Sequence, residues 1–195
     1  MTDKRKVVVG HQAAHQVAFV GPYGVGKTTA VRSLSNLPFV GTEVASTVPL
    51  APRHTAEDKL TTTVGIDYGE WRSPVGVVAI YGTPGQVRFR MNRTSALPRT
   101  MRMVLWCYGQ NKYALEEAQE WLSYIGAAKL GGRLAVAVTR LETAGGPPLE
   151  QYRPMLDAVH GDIALVAADP RSGEDVAAAV LACLGASQTG EALGT

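Results

Sequence analysis

The 195-residue chain reads as one α/β domain on a mostly parallel six-stranded sheet, with one antiparallel edge strand and flanking helices. Three observations predict this. Short apolar runs at 15–20, 75–81, 103–108, 134–138 and 163–166 alternate with stretches of helical periodicity, the pattern of strands joined by crossover helices. A sixth strand, 60–71, is separated from the run at 75–81 only by a turn around Ser73-Pro74, too short for a helix, so that pair is antiparallel. Finally, Gly21-Pro22-Tyr23-Gly24-Val25-Gly26-Lys27-Thr28-Thr29 stands between the first strand and the first helix. It meets the phosphate-loop pattern G-x-x-x-x-G-K-[ST] at every required position.

In order along the chain, residues 1–14 show no period and read as an N-terminal arm, mobile or adding an edge strand. The domain itself spans 15–185, and 186–195 read as a flexible tail. The first helix leaves the phosphate loop and stops before Pro38. Residues 39–59 are polar and marked by Pro49 and Pro52, a connection long enough to be functional or disordered. Leu115, Ala118, Leu122 and Ile125 recur at helical spacing over 113–125. The stretch 149–159 is helical with a break or a late start at Pro154, and 173–184 is the last helix.

The phosphate loop carries the clearest chemistry. Glycines let successive N–H groups turn inward around a phosphate, and the following helix adds its positive end. Lys27 is placed to neutralise the β- and γ-phosphates and the Thr28 hydroxyl to ligate Mg²⁺, so Gly21, Tyr23, Gly24, Val25, Gly26, Lys27, Thr28 and Thr29 form the predicted nucleotide-binding loop. Of Thr61-Thr62-Thr63, a hydroxyl could reach Mg²⁺ and the γ-phosphate, or serve as ordinary strand-forming residues. Gly82-Thr83-Pro84-Gly85-Gln86 leaves a strand end, where Gly85 can turn its N–H to a γ-phosphate and Gln86 can orient a water. In open α/β sheets such loops converge outside the carboxyl ends of the strands.

Taken together, three stretches resemble the Ras-like small GTPases, specifically the bacterial group of the gliding-motility and conservon GTPases. They are the phosphate loop with its aromatic Tyr23, Thr62-Thr63-Val64-Gly65-Ile66-Asp67-Tyr68-Gly69, and Tyr81-Gly82-Thr83-Pro84-Gly85-Gln86-Val87-Arg88-Phe89. The resemblance implies a P-loop GTPase fold binding GTP or GDP with Mg²⁺, the metal held by Thr28 and Thr63. It makes Gln86, Lys27 and Thr63 the catalytic residues. A roadblock/LC7-type regulatory protein is the implied partner, beside an unidentified effector.

Three departures from that pattern bear on function. Gly82 stands where Ras proteins carry an aspartate that reaches Mg²⁺ through water, so weaker metal binding is expected. Tyr23 replaces a small glycine and crowds any arginine supplied in trans, so hydrolysis is expected to be slow or differently assisted. The guanine-reading N-K-x-D becomes Thr139-Arg140-Leu141-Glu142. Glu142 keeps the carboxylate on a longer stem, and Arg140 can stack on a base. Thr139 cannot replace the amide that ties this loop to the phosphate loop. Ala167-Ala168-Asp169-Pro170-Arg171 matches the group's D-A-R fifth loop, where a backbone N–H meets guanine O6, which makes Asp169 and Pro170 nucleotide-binding residues.

Composition sets bounds on the alternatives. A formal net charge of +2 gives no case for nucleic-acid binding, and no apolar run approaches a membrane span. With no lipidation motif at either end, the expected location is cytoplasmic, with membrane recruitment only through a partner, and the expected state is a monomer. Cys107 and Cys183 read as buried thiols. Arg88, Arg90, Arg93, Arg99 and Arg102 form either a partner surface or scattered solvated charge. Three readings follow: a GTP switch, a pseudo-GTPase scaffold, and an ATP-using P-loop protein.

Overall fold

The computed structural model describes residues 13–37, 40–41, 45–46, 62–63, 67–83, 101–143 and 145–185. Its strands are β1 (His15–Val20), β2 (Val40–Gly41), β3 (Ala45–Ser46), β4 (Thr62–Thr63), β5 (Asp67–Ser73), β6 (Gly76–Gly82), β7 (Arg102–Tyr108), β8 (Leu134–Thr139) and β9 (Ala164–Ala167). The helices are α1 (Lys27–Leu34), α2 (Ala114–Ile125), α3 (Tyr152–Val159) and α4 (Gly173–Leu184), with three short 3₁₀ turns between α2 and α3. The main sheet runs β2-β5-β6-β1-β7-β8-β9, while β3 and β4 pair separately.

From β6 to β9 the five strands are parallel, and β5 is antiparallel to β6 with Tyr68 opposite Tyr81. This is the predicted six-stranded arrangement with one addition. The two-residue β2 lies antiparallel outside β5, so β5 is covered over Asp67 and Tyr68 rather than being the outermost strand throughout. The predicted strand 60–71 is divided: Thr62–Thr63 pairs with Ala45–Ser46, and the sheet strand itself starts at Asp67.

The central strands are continuous apolar runs because both faces are covered. Alternate side chains go to opposite layers. Ala18 and Val20 of β1, with Met103, Leu105 and Cys107 of β7, pack under α2 and α3. Val17 and Phe19, with Val104 and Trp106, pack under α1 and α4. In the second layer Phe19 meets Trp106 edge-on at 5.8 Å between ring centroids.

Local chemistry fits each helix to its place. α2 carries Glu116 and Glu117 in its first turn, favourable to the helix dipole, and ends on Gly126 in the left-handed region. Ser172 caps α4 by accepting the Asp175 N–H, and Gly185 ends it with φ 72°. Pro154 falls in the first turn of α3, after the 3₁₀ turn Leu149–Gln151, so the late start is the outcome. The N-terminal ends of α1 and α4 thereby meet the loops after β1, β8 and β9 at one edge of the sheet.

Candidate functional site

The apolar strand β1 delivers the chain to the phosphate loop, where Gly21, Gly24 and Gly26 take φ of 136°, 76° and 110°. Such angles are rare for side-chain-bearing residues. At Gly26 there is also no space: a Cβ would lie 2.5 Å from Cγ of Pro170. This glycine lets the loop enter α1 while touching the loop after β9. Val25 is fully buried and anchors the loop in the layer of α1 and α4.

Lys27 folds back over this loop. Its Nζ donates to the carbonyls of Gly21 at 2.9 Å and Pro22 at 2.6 Å, and the residue is 7 % exposed. Burial pushes its pKa down to about 8, against the upward pull of the Asp67 carboxylate. A low-pKa ammonium held over curled backbone is a group ready to receive a multiply charged anion.

Asp67, quoted within 62–69 but given no role by the sequence reading, stands beside the phosphate loop. It opens β5, directly opposite Gly82 at the end of β6. The Thr28 hydroxyl donates to Asp67 Oδ2 at 2.5 Å. Gly82 makes room for it, since a Cβ there would sit 3.0 Å from the Asp67 Cβ. The carboxylate missing from the end of β6 is thus supplied by the neighbouring strand. The available signal was the sheet register: an antiparallel turn at Ser73–Gly76 brings residue 67 opposite 82.

Between the phosphate loop and the loops after β8 and β9 lies a cavity of about 490 Å³. Gly24, Gly26 and Thr29 form one wall, and Thr139, Arg140, Glu142, Asp169, Pro170 and Arg171 are among those forming the other. Its volume falls within the range of small-molecule sites. Gly24, Gly26 and Thr29 of the predicted phosphate loop thus share one crevice with the predicted fourth- and fifth-loop residues, while Gly21, Tyr23, Val25, Lys27 and Thr28 do not line it.

No family model matches the chain, and no curated protein sequence matches it. Among solved structures it is similar to the Arl6 BBS3 small GTPase from Trypanosoma brucei, determined with the nucleotide analogue GppNp bound. The match covers 88% of this chain and 95% of that one, with a TM-score of 0.57 and 16% sequence identity. The fold is that of a Ras-like small GTPase.

Within this small-GTPase fold the fourth loop is tied down in its own way. Arg140 stands at φ 60°, the sole non-glycine with positive φ among the described residues. Its Nη2 donates to the Gly24 carbonyl at 3.3 Å and its Nη1 to Gln110 Oε1 at 3.2 Å. The guanidinium lies 5.0 Å from the Tyr108 ring centroid, and the Tyr108 hydroxyl donates to the Tyr23 carbonyl at 2.8 Å. The link to the phosphate loop that Thr139 cannot make is made by Arg140 and Tyr108. The Arg140 guanidinium, which can stack on a base, lies here over a tyrosine ring. The Tyr23 ring is 68 % exposed and points away from the core.

The fifth loop is also internally bonded. Arg171 donates to both oxygens of Asp169 through Nε and to Oδ2 through Nη2, holding that carboxyl down to about 2. Ser33 Oγ of α1 donates to the Pro170 carbonyl at 2.8 Å and fixes the loop against the first helix. Of the remaining predicted residues, Thr63 is placed only as a strand partner of Ala45. Gly85 and Gln86 lie outside the described residues, as do Arg88, Arg90, Arg93 and Arg99. Arg102 donates to the Cys183 carbonyl at 2.7 Å, an internal tie between β7 and α4.

Proposed function

We propose that this chain is a nucleotide-operated switch of the small-GTPase kind, which binds GTP and hydrolyses it slowly. The observation that carries the reading is the constellation of Lys27, Thr28 and Asp67 around a glycine-shaped phosphate loop. It sets a buried cation, a hydroxyl and a carboxylate beside one another at a helix N-terminus. Curled N–H groups and Lys27 bind the triphosphate, and the same groups stabilise the charge that builds on its equatorial oxygens during transfer.

Mg²⁺ fits the donor set. A neutral hydroxyl and a carboxylate are hard oxygen ligands of the kind that the ion takes together with phosphates and water. Thr28 and Asp67 would hold it, and the ion supplies neutralisation of the β- and γ-phosphates. Gly82, Tyr23 and the altered fourth loop motivate the pseudo-GTPase scaffold reading, and the Asp67 carboxylate opposite Gly82 answers the first of these. Thr63 joins the site in the triphosphate state, and Gln86 orients the attacking water.

In the cell the switch signals through protein contact, with a roadblock/LC7-type regulator and an effector. Support for these partners is the resemblance in the phosphate loop, 62–69 and 81–89. Single-turnover hydrolysis of GTP tests the enzymatic part. Gln86→Leu is expected to slow the step at least about tenfold; an unchanged rate would remove Gln86 from the mechanism.

A further inference from the structure

The base-binding loops carry an inference that rests on the proposed nucleotide binding and sharpens it. Guanine differs from adenine at C6, where guanine presents an oxygen acceptor and adenine an amino donor. At this position a site favours guanine by placing a free donor, since an unmatched polar group is what gives discrimination its size. The backbone donors from 168 to 172 are all taken or missing. Ala168 N–H goes to the Val138 carbonyl at 3.0 Å, and Asp169 N–H to Asp175 Oδ2 at 2.8 Å. Pro170 has no N–H. Arg171 N–H goes to Asp169 Oδ1 at 2.9 Å, and Ser172 N–H to the Asp169 carbonyl at 3.0 Å.

Beside the Arg171 side chain, what this wall offers the cavity is carboxylate. Asp175, held at the first turn of α4, lines the cavity, and only its Oδ2 is engaged with Asp169 N–H among the described residues. Glu142 lies on the facing loop and also lines it. Arg171, the remaining donor on the fifth loop, is clamped to both oxygens of Asp169.

We infer that this pocket does not select a 6-oxo over a 6-amino purine, so that one site takes adenine and guanine nucleotides with affinities within about tenfold of each other. Glu142 favours the N1–H and 2-amino donors of guanine, and the acceptor wall at C6 favours the amino group of adenine. The two preferences oppose.

The test is calorimetric titration of GTP and of ATP, each with Mg²⁺, into the nucleotide-free full chain. Dissociation constants within about tenfold are expected. Pro170→Ala returns an N–H to the loop while Ser33 still holds the carbonyl at 170, and is expected to raise the preference for GTP about tenfold. Asp175→Ala frees the Asp169 N–H and is expected to shift the ratio in the same direction, an independent route should either variant fold poorly. A wild-type preference for GTP clearly beyond about tenfold overturns the inference while leaving the switch intact. Binding of neither nucleotide overturns both.

Discussion

The phosphate half and the base half of the crevice are built on different physical terms. The phosphate half is backbone: three glycines at positive φ, a buried lysine bonded to two carbonyls, and a helix start. Its polar side chains are few: Lys27, Thr28 and Asp67. The base half is side chain on loops: Arg140 over Tyr108, Asp169 clamped by Arg171, Asp175 on the Asp169 N–H. Changing a residue there alters what is read without moving the sheet.

The comparison breaks most readily at Lys27. Lys27→Ala is expected to weaken GTP binding at least about a hundredfold, close to 2.7 kcal/mol, since a charge-assisted set of bonds is lost. Equilibrium dialysis against labelled GTP reads it, and an effect under about fivefold would mean the phosphates are held elsewhere. No fourth-loop substitution should approach that size.

A pH experiment sharpens the same contrast. Burial holds the Lys27 pKa down to about 8, whereas the unfolded chain keeps it at 10.5. From pH 8 to 10.5 the unfolded state binds more protons, so this group makes the nucleotide-free protein gain stability as pH rises through that window. Below pH 8 both states are protonated and the cost of burial is present in full. A bound triphosphate raises the lysine pKa again, so binding at pH 9 takes up a proton. Calorimetry in two buffers of different ionisation enthalpy measures that uptake, which should vanish in Lys27→Met.

The smallest effect belongs to the base half. Arg140 adopts a conformation that glycine takes freely, so Arg140→Gly is expected to be about 1 kcal/mol more stable toward urea than Arg140→Ala. Both variants lose the bond to the Gly24 carbonyl, so the difference isolates the backbone term. Equal midpoints would show that the loop relaxes.

Most of the fold was legible because buried parallel strands write themselves as apolar runs and helices as periodic ones. α4 at 173–184 and the strand 134–139 follow that rule, and Gly185 and Ser172 mark the helix ends by their own chemistry. The division of 60–71 was not legible. Thr62-Thr63 and Asp67–Ser73 share strand composition, and which partner each takes depends on contacts distant in sequence. In the site, the phosphate loop could be read because its pattern encodes backbone angles. Asp67 was readable only through the register of the turn at 73–76, which sets it across the ladder from Gly82. The Arg140 tie could not be read, since it joins residues 116 positions apart.

Asp67 is proposed to supply the carboxylate that the end of β6 lacks. The most direct measurement is the Mg²⁺ concentration giving half-maximal tightening of GTP binding, in the wild type and in Asp67→Asn. The account predicts a midpoint about tenfold higher in the variant, with Mg²⁺-free binding unchanged or stronger because a negative charge beside the phosphates is gone. An identical midpoint in the two proteins would contradict it, leaving the Thr28–Asp67 contact as a structural hydrogen bond and nothing more.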